Sequence, residues 1–159
     1  MRAVLLIGLV FALAACDSAG PDTAESSRVP IDPLQLDYID LNELSQDPDS
    51  LVGTWDWVAS VTYFTAGPTP HLSTPDSLGY TQTLVFEADG TVAFYEDGDL
   101  VRETTYTVAR RTYGNGTQDA RPSLRFEDGG YGEDFGTEGD LLVLDSTPVD
   151  GPQSRYRRR

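Results

Sequence analysis

The chain of 159 residues has no lysine, one cysteine and one histidine. All eleven basic residues are arginine, against 26 aspartates and glutamates, so the formal net charge is −15. A charge of this sign repels phosphates, which excludes nucleic acid as a partner, and it opposes electrostatic docking onto anionic lipid. A single cysteine excludes an internal disulfide. We therefore interpret the charge as a means of keeping the protein soluble in its surroundings rather than as a binding function, with a specific cationic partner as the alternative.

Residues that carry out catalysis are scarce as well. His71 stands between Pro70 and Leu72 in a proline-rich stretch, and we expect it to be a solvated loop residue. The sequence has no Gly-x-Ser-x-Gly elbow, no His/Cys metal spacing and no glycine-rich phosphate loop after a strand. The acidic segment 127–140 offers oxygen ligands for Ca²⁺ but lacks the EF-hand spacing. The sequence predicts a protein that is not an enzyme and has no cofactor or metal site.

The first fifteen residues have the form of a secretory signal peptide. One arginine precedes an apolar run, residues 3–15, which is too short to span a bilayer with typical flanks. The run ends in Leu-Ala-Ala-Cys at residues 13–16, which resembles a bacterial lipobox. That resemblance implies cleavage before Cys16, a lipid on this cysteine and an envelope protein anchored in the inner or outer membrane. An ordinary signal peptide with an incidental cysteine is the alternative.

Residues 16–49 are expected to contain the lipidated cysteine, a disordered tether and a short helical turn. Small, acidic and proline residues dominate as far as residue 33, with almost nothing to bury. Residues 34–38 alternate like a strand, whereas Asp40 and Glu43 resemble a capping box that begins a helical turn. Asp47-Pro48 ends any helix. The acidic, lysine-free composition also resembles that of proteins from salt-loving bacteria.

From Gly53 onward the pattern is that of β-strands. Residues 51–64, LVGTWDWVASVTYF, alternate with a period of two, and residues 66–79 predict a long irregular loop. Residues 81–110 read as three strands joined by tight hairpins at Asp89-Gly90 and Asp97-Gly98. Further strands are predicted at 123–127, 140–145 and 153–158, with an eighth from either 131–135 or 34–38. An antiparallel meander of seven to eight strands hides its apolar face best by closing, so we predict an all-β, up-and-down β-barrel.

The order of these motifs resembles the lipocalin-like (calycin) barrels of bacterial lipoproteins. The resemblance rests on Leu-x-Gly-Thr-Trp at residues 51–55, the hairpin at 84–92, and Gly-Asp-Leu-Leu-Val-Leu at 139–144 before a terminal Tyr-Arg stretch. It implies that residues 50–159 form the barrel domain. It further implies that Gly53 allows a sharp turn into the first strand, that Trp55 seals the closed end, and that Arg155 or Arg157 covers this tryptophan.

Two hypotheses for the interior stay open. In the first, the barrel binds a small hydrophobic molecule under the loop at 66–79, and the inward row is drawn from Trp57, Val61, Tyr63, Phe86, Phe94, Tyr106 and Phe126. In the second, these large side chains fill the barrel, which then acts as an interaction or structural module, or an inhibitor, for another envelope protein. The Arg-x-Tyr clamp of related fatty-acid carriers is not reproduced by Arg155-Tyr156-Arg157, because alternation places Tyr156 opposite both arginines.

Overall fold

The period of two in the sequence becomes a sheet of nine antiparallel strands. The computed structural model describes residues 31–63, 69–112, 120–129 and 132–159, and residues Ile31–Arg159 form one compact unit. The signal peptide (1–15), Cys16 and the tether as far as residue 30 lie outside the described residues. The strands are β1 (Gly53–Thr62), β2 (His71–Ser73), β3 (Gln82–Phe86), β4 (Thr91–Glu96), β5 (Asp99–Arg111), β6 (Arg121–Phe126), β7 (Glu133–Glu138), β8 (Leu141–Asp145) and β9 (Gln153–Arg158).

The sheet closes on itself. From β3 to β9 each strand pairs with the next, and β1 pairs with both β3 and β9, which makes an eight-stranded barrel. The short β2 pairs with the end of β1 alone. The prediction of an antiparallel, up-and-down β-barrel is therefore confirmed. Closure leaves no long unpaired edge along these eight strands.

The two hairpin predictions are also confirmed. Gly90 has a φ of 88°, and in the second turn Asp97 and Gly98 have φ values of 50° and 87°. Aspartate and glycine tolerate this left-handed region better than other residues do, which is why Asp-Gly marks such turns. The Asp97 carboxylate also accepts hydrogen bonds from the backbone N–H (2.8 Å) and hydroxyl (3.2 Å) of Thr81.

The structure chooses between the two alternatives for the eighth strand and corrects the prediction of an irregular loop. The eighth strand is β7, at one of the two expected places, and residues 34–38 form no strand. The stretch expected to be an irregular loop contains β2 and a helical turn at Pro75–Leu78, so that expectation was wrong for its described part, residues 69–79. The helical turn begins with a capping box between Thr74 and Ser77 and ends at Gly79 with a φ of 77°. Among the described residues, no helix is long and apolar enough to cross a bilayer.

The core has two layers, one inside the barrel and one outside it. The inner cluster contains both tryptophans and side chains from every barrel strand. The outer cluster lies between β8 and residues 31–44, which we call the N-terminal strap. It is formed by Ile31, Ile39, Leu41, Leu44, Leu141 and Val143. Each buried aliphatic side chain contributes about 2 kcal/mol, so the strap is held by apolar burial as well as by polar contacts.

The strap is fastened to the outer wall by hydrogen bonds. The fully buried guanidinium of Arg155 donates to the carbonyl oxygens of Pro33 (3.1 Å), Gln35 and Asp37 (2.8 Å). Gln153 binds the backbone of Ile39 in both directions, at 3.0 and 3.1 Å. Burial lowers the pKa of Arg155, and the carbonyl groups replace the water that its charge loses. The compact unit therefore extends beyond the predicted barrel boundary at residue 50.

Candidate functional site

One end of the barrel is sealed by Trp55. This side chain is fully buried, and its indole N–H donates to the carbonyl oxygen of Leu51 at 2.7 Å. The guanidinium carbon of Arg158 lies 4.0 Å from the ring centroid, and its nitrogens donate to the carbonyl oxygens of Val52 and Ser50, each at 2.7 Å. A stacked cation that also donates to two carbonyl groups of the chain entering β1 closes this end.

Gly53 is required where β1 begins. Its φ is +139°, a region that side chains rarely adopt, and a Cβ atom there would lie 2.5 Å from a guanidinium nitrogen of Arg158. The expectation that Arg155 or Arg157 covers Trp55 was wrong. The register pairs Trp55 with Arg158, whereas Arg157 pairs with Asp56 on the outer face and binds Asp140 at 2.6 Å. Cross-strand partners share a face, so Arg158, opposite the tryptophan, lies where it can cover the ring, whereas Arg155 and Arg157 lie on the other face.

Five of the seven predicted inward residues lie together inside the barrel. They are Trp57, Phe86, Phe94, Tyr106 and Phe126. Phe86 meets Tyr106 edge-on at 5.1 Å between ring centroids, and Phe94 meets Phe126 edge-on at 5.6 Å. Trp57 is stacked on Tyr80 at 5.9 Å. These pairs are typical of aromatic packing and fill much of the interior.

Val61 and Tyr63 do not belong to the inward row, so this part of the prediction was wrong. A β-bulge lies between Trp57 and Ala59, where the register with β9 shifts. Before the bulge Trp57 pairs with the inward Tyr156; after it Val61 pairs with the outward Gln153. The extra residue reverses which face the following side chains occupy. Val61 is buried on the outer wall, and the Tyr63 hydroxyl accepts a hydrogen bond from Arg155 at 3.3 Å.

A cavity of about 340 Å³ lies away from the sealed end. Its position follows from the register of β3: Phe86, at one end, pairs with Gly53, whereas Gln82, at the other, pairs with Glu96 and lines the cavity. The apolar walls are Leu84, Phe94, Phe126 and Leu144, and the polar groups include Arg102, Glu133 and Tyr156. A volume of a few hundred Å³ with mostly apolar walls is typical of a site for one small molecule.

The cavity brings together only part of the predicted set. Phe94 and Phe126 line it, whereas Trp57, Phe86 and Tyr106 pack in the inner core without lining it. Sequence reasoning missed Arg102 because a second bulge, at Val101, makes Arg102 rather than its neighbour the partner of Phe94. It also missed Glu133, which stands in the acidic stretch 127–140, where the sequence offers oxygen ligands for Ca²⁺.

Arg102 lies over the aromatic wall of the cavity. Its guanidinium carbon is 4.5 Å from the ring centroid of Phe94 and 5.0 Å from that of Phe126. Two of its nitrogens bind the two carboxylate oxygens of Asp128, at 2.6 and 2.5 Å. This ion pair raises the pKa of Arg102 and lowers that of Asp128. The guanidinium is thereby held in one orientation by a planar, two-point contact.

Glu133 faces the interior from β7. It pairs with the core residue Leu124 and accepts a hydrogen bond from the Ser146 hydroxyl at 2.9 Å. The carboxylate keeps some accessible surface because it lines the cavity, yet its surroundings inside the protein remove most of its hydration. This burial raises the pKa of Glu133, while Ser146 and Arg102 act in the opposite direction. Burial likewise raises the pKa of Tyr156, which lines the same cavity.

The remaining candidate residues have other neighbours. His71 is exposed at the start of β2, outside the cavity lining. In the acidic stretch 127–140, Asp128 binds Arg102 and Asp140 binds Arg157. Within the described residues, no three His, Cys, Asp or Glu side chains are grouped as a metal ion would require. Arg155-Tyr156-Arg157 alternates as expected, with only Tyr156 directed inward.

Comparison with known proteins identifies no relative: no protein-family model matches the chain, and no curated protein or solved structure matches it.

Proposed function

We propose that this protein is a lipid-anchored lipoprotein of the bacterial cell envelope whose lipocalin-like barrel binds one small apolar or amphipathic molecule. The observation that carries the proposal is the cavity of about 340 Å³ at the end of the barrel opposite Trp55. The sealed end supports the likeness to lipocalins, since Gly53, Trp55 and an arginine stand in the arrangement that the resemblance implies. The lipobox-like segment supports the anchor on Cys16.

The chemistry of the cavity favours binding over reaction. Aromatic and aliphatic side chains supply most of its wall, and the one histidine of the chain is elsewhere. Burial of an apolar ligand against these side chains contributes about 25 cal/mol for each Å² of apolar surface removed from water. We therefore propose a carrier or sensor rather than an enzyme, with no nucleic-acid partner and no resident cofactor.

Calorimetric titration of the full chain with small apolar alcohols tests this proposal. We expect saturable binding of one molecule of octanol, and weaker binding to the variant Leu144→Phe, because the larger side chain occupies part of the cavity. Leu100→Phe is the matched control, since Leu100 is 54% exposed on the β4–β5 hairpin and does not line the cavity. Equal affinities for the wild type and Leu144→Phe, or no saturable binding at all, would contradict a ligand site here.

The second candidate function is a packed barrel that contacts another envelope protein. Its support is the exposure of Leu100 (54%) and Val101 (60%), two adjacent apolar side chains at the tip of the β4–β5 hairpin. Paired exposed aliphatic residues are favourable contact points for a partner surface. If the barrel binds no apolar molecule, Leu100→Ser and Val101→Ser should weaken co-purification with an envelope partner.

A further inference from the structure

The polar groups of the cavity differ in how many of their donor and acceptor positions already have a hydrogen-bond partner. Arg102 has a bidentate bond to Asp128 and is stacked over Phe94 and Phe126. An anionic ligand would have to displace Asp128 from a charge-assisted contact before it could use this guanidinium. Arg102 is therefore poorly placed to receive a carboxylate.

Glu133 is in the opposite situation. One carboxylate oxygen, Oε1, accepts from Ser146 at 2.9 Å, and the other oxygen has no donor among the described residues. A carboxylate has about four lone-pair positions, so this group has capacity for a ligand's donors. It stands on the interior face of β7, in the same cavity as the apolar walls.

The charges around the cavity also favour a ligand that donates to Glu133. Asp128 neutralises Arg102, so the charges left among the lining residues are those of Glu133 and Glu96, both negative. The chain as a whole carries −15, which adds a field that attracts cations. Both the local and the overall charge favour a positive head group and disfavour a negative one.

We propose that the cavity selects an amphiphile with a protonated amine head, which binds Glu133, and an alkyl or aryl body, which packs against Leu84, Phe94, Phe126 and Leu144. The inference rests on the proposed function and names the ligand class of that same site. The amine supplies the donors that the free oxygen of Glu133 lacks, and its charge replaces the hydration that the carboxylate lost on burial. An alcohol of equal length retains the apolar contacts but not the ion pair.

Calorimetric titration of the full chain with octylamine, octanol and octanoate tests this selection. We expect octylamine to bind at least about tenfold more tightly than octanol, as one charge-assisted hydrogen bond provides, and octanoate to bind most weakly. In Glu133→Gln the preference for the amine should disappear while octanol binding persists. Glu87→Gln removes the same charge from an exposed residue outside the cavity lining, and it should keep the preference.

The outcomes distinguish failure of the amine proposal from failure of the ligand site on which it rests. Octanol binding that Leu144→Phe weakens, together with equal affinities for amine and alcohol, would overturn the amine proposal and leave the ligand site standing. The same holds if Glu133→Gln keeps the amine preference. Failure of all three ligands to bind would overturn both. If Glu133→Gln does not fold, the wild-type ratio of amine to alcohol affinity decides, with ethylamine, which lacks the apolar body, as the control for general attraction to an acidic protein.

Discussion

Trp55 and Arg158 face each other across the first and last strands of the barrel, with the guanidinium carbon 4.0 Å from the ring centroid. The contact joins residues 103 positions apart and sits where β9 closes onto β1. Arg158 also binds the carbonyl oxygens of Ser50 and Val52, so the same side chain fixes the segment that leads into the barrel. Closure and sealing of this end therefore depend on one residue near the C-terminus.

Arg158→Ala should lower the free energy of unfolding by about 2 kcal/mol, because it removes a cation–π contact and two charge-assisted hydrogen bonds. Denaturant unfolding followed by tryptophan fluorescence measures the change. The control is Arg159→Ala, whose side chain is exposed and paired with Asp56, and which should cost about 0.5 kcal/mol or less. Equal losses in the two variants would mean that Arg158 does not seal the barrel.

Arg155 gives a second prediction, concerning the N-terminal strap. Arg155→Met should destabilise the protein by about 3 kcal/mol, because three strap carbonyl groups lose a buried donor. Hydrogen exchange should become faster at the amide of Ile39 and its neighbours, while the amides of β3 and β4 change less. Arg157→Met is the matched control, since Arg157 forms a surface pair with Asp140. Unchanged exchange in the strap would contradict its fastening by Arg155.

The raised pKa of Glu133 predicts that its contribution to stability falls as pH rises. Its pKa is raised in the folded protein, so the folded state holds this proton to higher pH than the unfolded state does. The contribution of Glu133 to stability is therefore lost as pH rises from the ordinary glutamate range through the raised pKa. Glu133→Gln, which mimics the protonated form, should be more stable than the wild type near neutral pH and equal to it below that range.

Thermal unfolding of both proteins across this pH interval provides the measurement. Glu87→Gln should show no such divergence, because Glu87 is exposed. A wild type that gains stability relative to Glu133→Gln as pH rises would reverse the sign and show that the carboxylate is stabilised by its surroundings.

Cys16 tests the proposed anchor. Cys16→Ala should release the protein from the membrane fraction, because each buried acyl CH₂ contributes about 0.8 kcal/mol and the acidic chain has little electrostatic attraction to anionic lipid. Fractionation followed by immunoblotting gives the result. Unchanged membrane association of the variant would reject lipidation at this residue.

Strand positions and turns were predictable because their signals are local. Alternation over a few residues defines a strand, and Asp-Gly pairs at 89–90 and 97–98 supply the backbone conformations that tight hairpins need. Trp57, Phe86, Phe94, Tyr106 and Phe126 were placed inside the barrel on the same ground. These features require no knowledge of which strand lies alongside.

The bulges and the strap could not be predicted in this way. The bulge after Trp57 moves Val61 and Tyr63 to the outer wall, and the bulge at Val101 brings Arg102 to the cavity. A bulge is defined by its cross-strand partner, so a single strand read alone carries no sign of it. The pairing of Trp55 with Arg158 is likewise a property of the register between the chain's two ends.

The strap could not be recognised from its own residues. It forms no regular strand, and a buried arginine far away in sequence supplies donors that hold it. The role of Glu133 was obscured because it lies among many acidic residues, and only the fold separates it from the exposed ones.

An NMR titration of the isotope-labelled full chain with octanol shows directly whether a ligand enters the cavity. We expect saturable shifts concentrated at Leu84, Phe94, Phe126 and Leu144, with little change at Trp55 and in the N-terminal strap. Shifts confined to the N-terminal strap, or no saturable shifts, would contradict a ligand cavity at the end of the barrel opposite Trp55.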